Sequence, residues 1–258
     1  MKRPFFVLFV AFCAVHSAAA QQSAPEIVRQ SRERISAKTT QTRSRWVITA
    51  KNGSTTERLI DQFSKDDTSG LSRMMIEFRQ PAGVAGTRFL SMDTEKGGSN
   101  QWIFLPSLGK TRRIAASEGS GSFMGTDFSY DDISSADRDV DLDTHTLLRE
   151  ENLNGKPCYV IESRPKDSSY QYSKMVQWID KSNKVTHKIE LYDKRGTHIK
   201  TLEILELRDV QGRLSAMKTR MTTQGAGNTT INVEIIKYDD AIPESVFTTN
   251  YLETGKAR

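Results

Sequence analysis

Ser72-Arg73-Met74-Met75-Ile76-Glu77-Phe78-Arg79 carries the period that decides the fold. Met74, Ile76 and Phe78 fall on one side, opposed by Arg73, Glu77 and Arg79. Successive strand side chains point to opposite faces, so this alternation marks a half-buried β-strand. The same period of two recurs in both directions along the chain. Upstream, Trp46, Ile48 and Ala50 share a face. Downstream, Tyr159/Ile161, Val176/Trp178, Val185/His187/Ile189/Leu191, Leu202/Ile204, Met217/Met221 and Ile231/Val233/Ile235 do likewise.

Turn residues separate these runs. Asn52-Gly53 is the strongest short hairpin signal, and Asn154-Gly155, Arg195-Gly196 and Gln211-Gly212 repeat it at meander spacing. The pattern predicts about eleven or twelve strands in one extended, highly curved antiparallel sheet, with one face that needs cover. No biased linker or internal repeat divides residues 21–258, which read as a single domain. Helical spacing is confined to short stretches. Residues 25–38 place Ile27, Val28 and Ile35 on one stripe of an exposed amphipathic helix that has Pro25 in its first turn. A short helix near residues 127–133 would turn Phe128, Tyr130 and Ile133 inward, and a last one over 243–252 puts Phe247 and Tyr251 on one side. The helix near 127–133 lies within residues 106–143, a connection too long for a hairpin and of the kind that often carries function.

Of 258 residues, 36% are apolar, with 37 Lys+Arg against 32 Asp+Glu and a mean hydropathy of −0.54. That polarity excludes a polytopic membrane protein, and eleven Phe and three Trp exclude a disordered chain. Residues 1–20 read as an export signal. Lys2 and Arg3 precede an apolar run from Phe5 to Val15 that is too short to span a bilayer, and Ala18-Ala19-Ala20 offers the cleavage site. Cys13 lies inside the apolar run behind a bulky Phe12, which favours cleavage after Ala20 without lipidation. Loss of Lys2 and Arg3 lowers the net charge from +5 to +3, since 35 basic residues then face 32 acids. The remaining bases are interspersed with acids, so no nucleic-acid partner is expected. Cys158 is left alone in a strand-like Cys158-Tyr159-Val160-Ile161, where it cannot form an internal disulfide and reads as a small buried hydrophobe.

Catalytic signals are sparse. Asp139, Asp141, Asp143 and Glu150 occupy positions 1, 3, 5 and 12 of an EF-hand-length loop, from which oxygens converge on calcium. Position 6, however, is Thr144 where a sharp turn needs Gly, and the residues after it read as a strand. A solvated acidic loop is the favoured reading, with weak cation binding left open. Gly119-Ser120-Gly121-Ser122 is not a nucleophile elbow. His145, His187 and His198 stand apart, with no metal-binding pair, and His187 reads as a structural imidazole on a strand. Neither an enzyme, a metal nor a cofactor is expected.

Apolar residues gather instead. Trp46, Met74, Phe78, Trp102 and Phe104 would line a curved sheet beneath a loop bearing Phe123, Met124 and Phe128. A plain core filled by the same residues is the alternative, and composition alone favours it.

Longer motifs tip that balance. Gln80-Pro81-Ala82-Gly83-Val84-Ala85-Gly86-Thr87-Arg88-Phe89-Leu90 is followed by Trp102-Ile103-Phe104-Leu105-Pro106 and by Arg112-Arg113-Ile114. Gly121-Ser122-Phe123-Met124-Gly125-Thr126-Asp127-Phe128-Ser129-Tyr130 completes the pattern. Together with Lys156-Pro157-Cys158-Tyr159, Phe247-Thr248 and Leu252, these strings resemble the exported bacterial family of outer-membrane lipoprotein-sorting proteins, relatives of LolA and LolB. The resemblance implies an unclosed antiparallel barrel wrapped around short helical lid segments, with an apolar cavity for acyl chains. It implies a periplasmic carrier of lipoproteins or lipids toward the outer membrane, with an inner-membrane RND-type or other transporter as donor and an outer-membrane acceptor. Ligand-contacting roles are implied for Trp102, Phe104, Leu105, Phe123, Met124, Phe128 and Tyr130. Arg112 and Arg113 would meet anionic headgroups at the mouth. The rival reading is an envelope-stress sensing module that binds lipid or a protein partner through the same face.

Overall fold

A computed structural model describes residues 22–95, 97–134 and 138–257, so the expected signal at residues 1–20 and Cys13 lie outside the described residues. The alternating segments fall in strands or at their edges. One half of the chain carries β1 (Thr39–Thr49), β2 (Thr55–Asp66), β3 (Ser72–Gln80), β4 (Arg88–Asp93), β5 (Ser99–Leu105) and β6 (Lys110–Ile114). The other carries β7 (Asp143–Leu153), β8 (Lys156–Pro165), β9 (Lys174–Asp180), β10 (Thr186–Tyr192), β11 (His198–Val210), β12 (Arg213–Thr223) and β13 (Gly227–Tyr238). All thirteen join one antiparallel sheet in the order β6-β5-β4-β3-β2-β1-β13-β12-β11-β10-β9-β8-β7, which does not close into a barrel. The count exceeds the sequence expectation partly because the basic Lys110–Ile114 pairs along β5 as an edge strand.

The hairpins form where turn chemistry places them. Asn154 and Gly155 both have positive φ (52° and 85°), as a two-residue type I′ turn between β7 and β8 requires. Sequence-adjacent strands therefore pair, with one exception. β1 and β13 meet at the centre of the sheet, with Trp46 opposite Ile231. The edges are β6 and β7, consecutive in the chain, and the segment 115–142 runs between them.

Cross-strand register sorts the apolar residues onto two faces. One face carries Trp46, Ile60, Met74, Ile76, Phe78, Phe89 and Ile103, and continues through Ile231, Met221, Leu202, Ile189 and Met175. Residues 115–134 of the connection between β6 and β7 cover this side, hereafter the strap face. Its short helix, α2 (Tyr130–Ser134), turns Tyr130 and Ile133 into the cluster. At the β7–β9 end the same face is covered by α1 (Ala24–Glu33), whose fully buried Ile27 and Val28 pack on Ile161 and Ile179. The helix is shorter than its sequence pattern and not wholly exposed. The chain turns at Arg34, whose guanidinium donates to the Leu214 carbonyl.

The outer face is covered by the C-terminus. The expected helix over 243–252 divides into a 3-10 turn (Glu244–Phe247) and α3 (Thr249–Thr254), because Thr248 is extended and its hydroxyl caps the Tyr251 N–H at 3.1 Å. Val246, Phe247, Tyr251 and Leu252 pack on Met75 and Leu90. Cys158 packs beside Val160, Val176 and Trp178, and burial pushes its thiol up, away from reactivity. Among the described residues, no helix is long and apolar enough to cross a membrane.

Candidate functional site: the strap over the sheet

The strap closes on itself before it touches the sheet. Phe123 N–H donates to the Phe128 carbonyl at 2.8 Å and Thr126 N–H to the Phe123 carbonyl at 3.0 Å. Met124 and Gly125 between them have φ of 52° and 76°, again a type I′ turn. Ser122 and Thr126 hydroxyls donate to carbonyls within the same turn. A left-handed Met costs about 1 kcal/mol relative to Gly, so this tip is held by its own hydrogen bonds and by its packing. Gly119 shows a second local requirement. A Cβ there would stand 2.3 Å from the Asp131 carboxylate, so only glycine lets the strap fold back on itself.

Phe123 is fully buried at the centre of an aromatic cup. Its ring centroid lies 6.2 Å from Trp46, 5.9 Å from Phe78, 5.1 Å from Phe89 and 5.3 Å from Tyr130. The last two are edge-to-face contacts, the favoured aromatic geometry. Polar anchors flank the tip on its C-terminal side. Asp127 accepts from the buried Thr229 hydroxyl of β13 at 2.7 Å. The Asp132 carboxylate accepts from Ser129 N–H (2.8 Å), Tyr172 OH (2.7 Å), Gln171 Nε2 (3.3 Å) and Lys200 Nζ (2.9 Å). Burial beside that carboxylate pushes the Tyr172 hydroxyl far up, so it stays a donor.

Of the residues singled out in the sequence, Trp46, Met74, Phe78, Phe123 and Phe128 share this cluster, with Leu105, Met124 and Tyr130 packed against it. Trp102 and Phe104 do not join them. Leu90 of β4 pairs with Trp102, which puts Trp102 and Phe104 on the outer face against the C-terminal segment, while Ile103 and Leu105 turn to the strap. The two arginines also part. Arg112 is opposite Ile103 and binds Glu118 at 2.6 Å, whereas Arg113 is opposite Trp102 and binds Asn100 at 2.6 Å. Each has a partner of its own, so they do not converge on a mouth.

The acidic run is likewise divided among separate partners. Asp139 caps a 3-10 turn (Val140–Leu142), Asp141 meets Arg29 at 3.4 Å, Asp143 is buried against Arg138 at 2.9 Å, and Glu150 binds Lys181. Asp143 is therefore not solvated, as a plain acidic loop would have it. Among the described residues no group of three or more His, Cys, Asp or Glu is placed to hold a metal. His187 lies buried with Nε2 3.2 Å from Asp180, a structural contact.

Two cavities open along the sheet. One of about 430 Å³ is lined by Arg45, Glu57, Arg58, Leu59, Gln80, Pro81 and Ala82. The other, about 30 Å³, is polar and sits under Ile133 among Gln62, Ser64 and Ser91. Arg58 is the residue that sequence reading passed over. Its signal was its phase, two positions from Ile60 and opposite Trp46.

The fold has close counterparts. A family model described as "Uncharacterized protein" matches residues 70–254. No curated protein matches the chain. A protein domain from Vibrio parahaemolyticus, provisionally described as outer-membrane lipoprotein-sorting, is 27% identical with a TM-score of 0.83, covering 89% of this chain and 98% of its own. A DUF1329 family protein from Desulfovibrio piger is 26% identical with a TM-score of 0.85, over 89% of this chain and 97% of its own. A LolA superfamily protein from Nitrosomonas europaea shares the fold at 20% identity and a TM-score of 0.73, over 90% of this chain and all of its own.

Proposed function

We propose, for a chain that belongs to the family matching residues 70–254 and has the fold of LolA-like outer-membrane lipoprotein-sorting proteins, that it is a non-enzymatic carrier whose strap face takes acyl chains. One observation carries the reading: the centre of the apolar face is filled by Phe123, a ring delivered by a self-contained turn, not by the sheet itself. Burying a phenyl ring contributes about 3 kcal/mol and each acyl methylene about 0.8 kcal/mol. Roughly four buried methylenes therefore offset the ring they displace, and a longer chain wins. The half-buried apolar row of Leu202, Ile204, Ile231 and Val233 extends the same face beyond the cup and offers the chain somewhere to continue.

In this reading residues 1–20 export the chain to the periplasm and are cleaved after Ala20, leaving residues 21–258 as one carrier domain. Cargo passes from an inner-membrane transporter to an outer-membrane acceptor. The contact residues are Trp46, Met74, Phe78, Leu105, Phe123, Met124, Phe128 and Tyr130.

The test is native mass spectrometry of protein purified from the cell envelope, with lipid extraction and titration by a fluorescent fatty acid. Co-purifying lipid or acylated protein and saturable probe binding are expected. A lipid-free protein that binds no probe and instead captures a protein partner would overturn the carrier in favour of a sensing module.

A further inference from the structure

Arg58 of β2 stands opposite Trp46 and in phase with Ile60, so its side chain enters the strap face. Its guanidinium carbon lies 5.7 Å over the Phe78 ring, a cation–π distance. Its Nη2 is 3.9 Å from the position of a Cβ on Gly125, at the tip of the strap. The guanidinium thus sits between the aromatic cup and the turn that delivers Phe123.

Its hydrogen bonding is incomplete. Nε and Nη1 are both buried and have no partner. Burial pushes this guanidinium below its ordinary value, and no carboxylate opposes the shift. Unmade donors on a buried cation are costly, and such groups are rarely left so without a purpose. The acid beside it in sequence is otherwise engaged: Glu57 binds Arg45 at 3.3 Å, and Arg45 also binds Glu234 at 2.9 Å. The cavity of about 430 Å³ that Arg58 shares with Arg45, Glu57, Leu59, Gln80, Pro81 and Ala82 opens beside it, with the one lining carboxylate held by Arg45. A guanidinium presents its donors in a planar fork that matches carboxylate and phosphate oxygens.

We infer that Arg58 is an anion site at the mouth of the strap face, which takes the carboxylate or phosphate headgroup of an amphiphile whose chain replaces Phe123. Phe78 links the two parts, since it contacts both the guanidinium and the Phe123 ring, the latter at 5.9 Å. The inference rests on the acyl-carrier reading and adds a charge preference to it.

Three probes separate the two ideas: a fluorescent fatty acid, the fatty alcohol of the same chain, and inorganic phosphate. Wild-type protein is expected to prefer the acid over the alcohol by about tenfold, the worth of one charge-assisted hydrogen bond. Arg58→Gln should erase that preference while alcohol binding stays unchanged. Arg58→Lys keeps the charge without the fork and should fall between, and it serves as the test if the Gln variant does not fold. Competition by inorganic phosphate against the acid but not the alcohol would support a site open to free anions. Its absence, with the preference intact, would support a site reached only as a headgroup. An Arg58→Gln variant that binds both amphiphiles with the wild-type preference would overturn the anion site alone. Wild-type protein that binds neither amphiphile would overturn the carrier reading itself.

Discussion

Two segments cover the same strands from opposite sides, and they are fastened differently. On the outer face α3 is bonded to the sheet through polar groups. Arg88 Nε and Nη2 donate to the Leu252 and Glu253 carbonyls at 2.6 and 2.7 Å, over a Phe104 ring 5.0 Å away, and the buried Glu77 accepts from Tyr251 OH at 3.3 Å. On the strap face the tip around Phe123 satisfies most of its hydrogen bonds internally, is bonded to β13 through the Asp127–Thr229 pair, and meets β1, β3 and β4 through rings. Lifting α3 would leave a buried guanidinium and a helix end unsatisfied. Lifting the tip breaks the Asp127–Thr229 pair and otherwise exposes apolar surface, which an acyl chain can re-cover. One cover is a seal and the other is a replaceable plug.

The largest effect should come from breaking the seal. Arg88→Met strands the Leu252 and Glu253 carbonyls and leaves the buried Glu77 with Arg79 as its one basic partner, with an expected loss of about 3 kcal/mol in denaturant unfolding. A loss under about 1 kcal/mol would erase the contrast between the covers. Phe123→Ala and Phe247→Ala come next, each removing a fully buried ring at a cost of about 3 kcal/mol. They should part in binding. Without its internal competitor the Phe123 variant should bind a fluorescent fatty acid more tightly than wild type, and the Phe247 variant should not change. Equal responses would mean that Phe123 is ordinary core.

Asp132→Asn is a smaller perturbation. It removes the charge opposite Lys200, at an expected cost of about 1–3 kcal/mol. Hydrogen exchange should quicken at Ser129 and Asp132 in the strap and stay unchanged at Tyr251 in α3. The smallest effect is with pH. Val140 O can only accept, so His145 Nε2 carries the proton at 3.0 Å, and Nδ1 accepts from Ser163 Oγ at 2.7 Å. Ser163 Oγ in turn accepts from Gln177 Nε2 at 2.7 Å. A proton on Nδ1 would oblige the Ser163 hydroxyl to turn its hydrogen away and accept instead. Burial accordingly holds His145, and His187 as well, below the ordinary imidazole value of about 6.5. The unfolded chain takes up these protons near that value and the fold resists them. Stability is therefore full above it and falls as pH drops through it. His145→Gln should flatten the slope of unfolding free energy between about pH 7 and 5, and an unchanged slope would assign it to His187.

Much of this was legible in the chain. Alternation placed Met74, Ile76 and Phe78 together, Asn-Gly and similar pairs placed the hairpins, and Phe128, Tyr130 and Ile133 do turn inward. What alternation cannot supply is phase between strands. Trp102 and Phe104 visibly share a face, yet which face follows from the Leu90–Trp102 pairing, a property of two strands. The acids from Asp139 onward have calcium-loop spacing, but once the chain folds Asp139 caps a turn and Asp141, Asp143 and Glu150 each find a separate base. Arg58 is the mixed case: its phase with Ile60 is written in the sequence, whereas its place over Phe78 and its buried, unpartnered Nε and Nη1 exist only in three dimensions.

The meeting of β1 with β13 at the middle of the sheet governs the order of assembly. Each half is a meander of near-neighbour hairpins, which form quickly because little chain must be closed into loops. The Trp46–Ile231 seam joins residues from nearly opposite ends of the chain and waits for the last strand. Until it zips, β1 and β13 are bare edges that invite pairing with another molecule. The strap already tethers β6 to β7 through one stretch of chain, so the two meanders swing on a common hinge. The apolar cluster of the strap face, with Trp46 and Phe78 on one meander and Ile231 and Met221 on the other, comes together only as that seam closes.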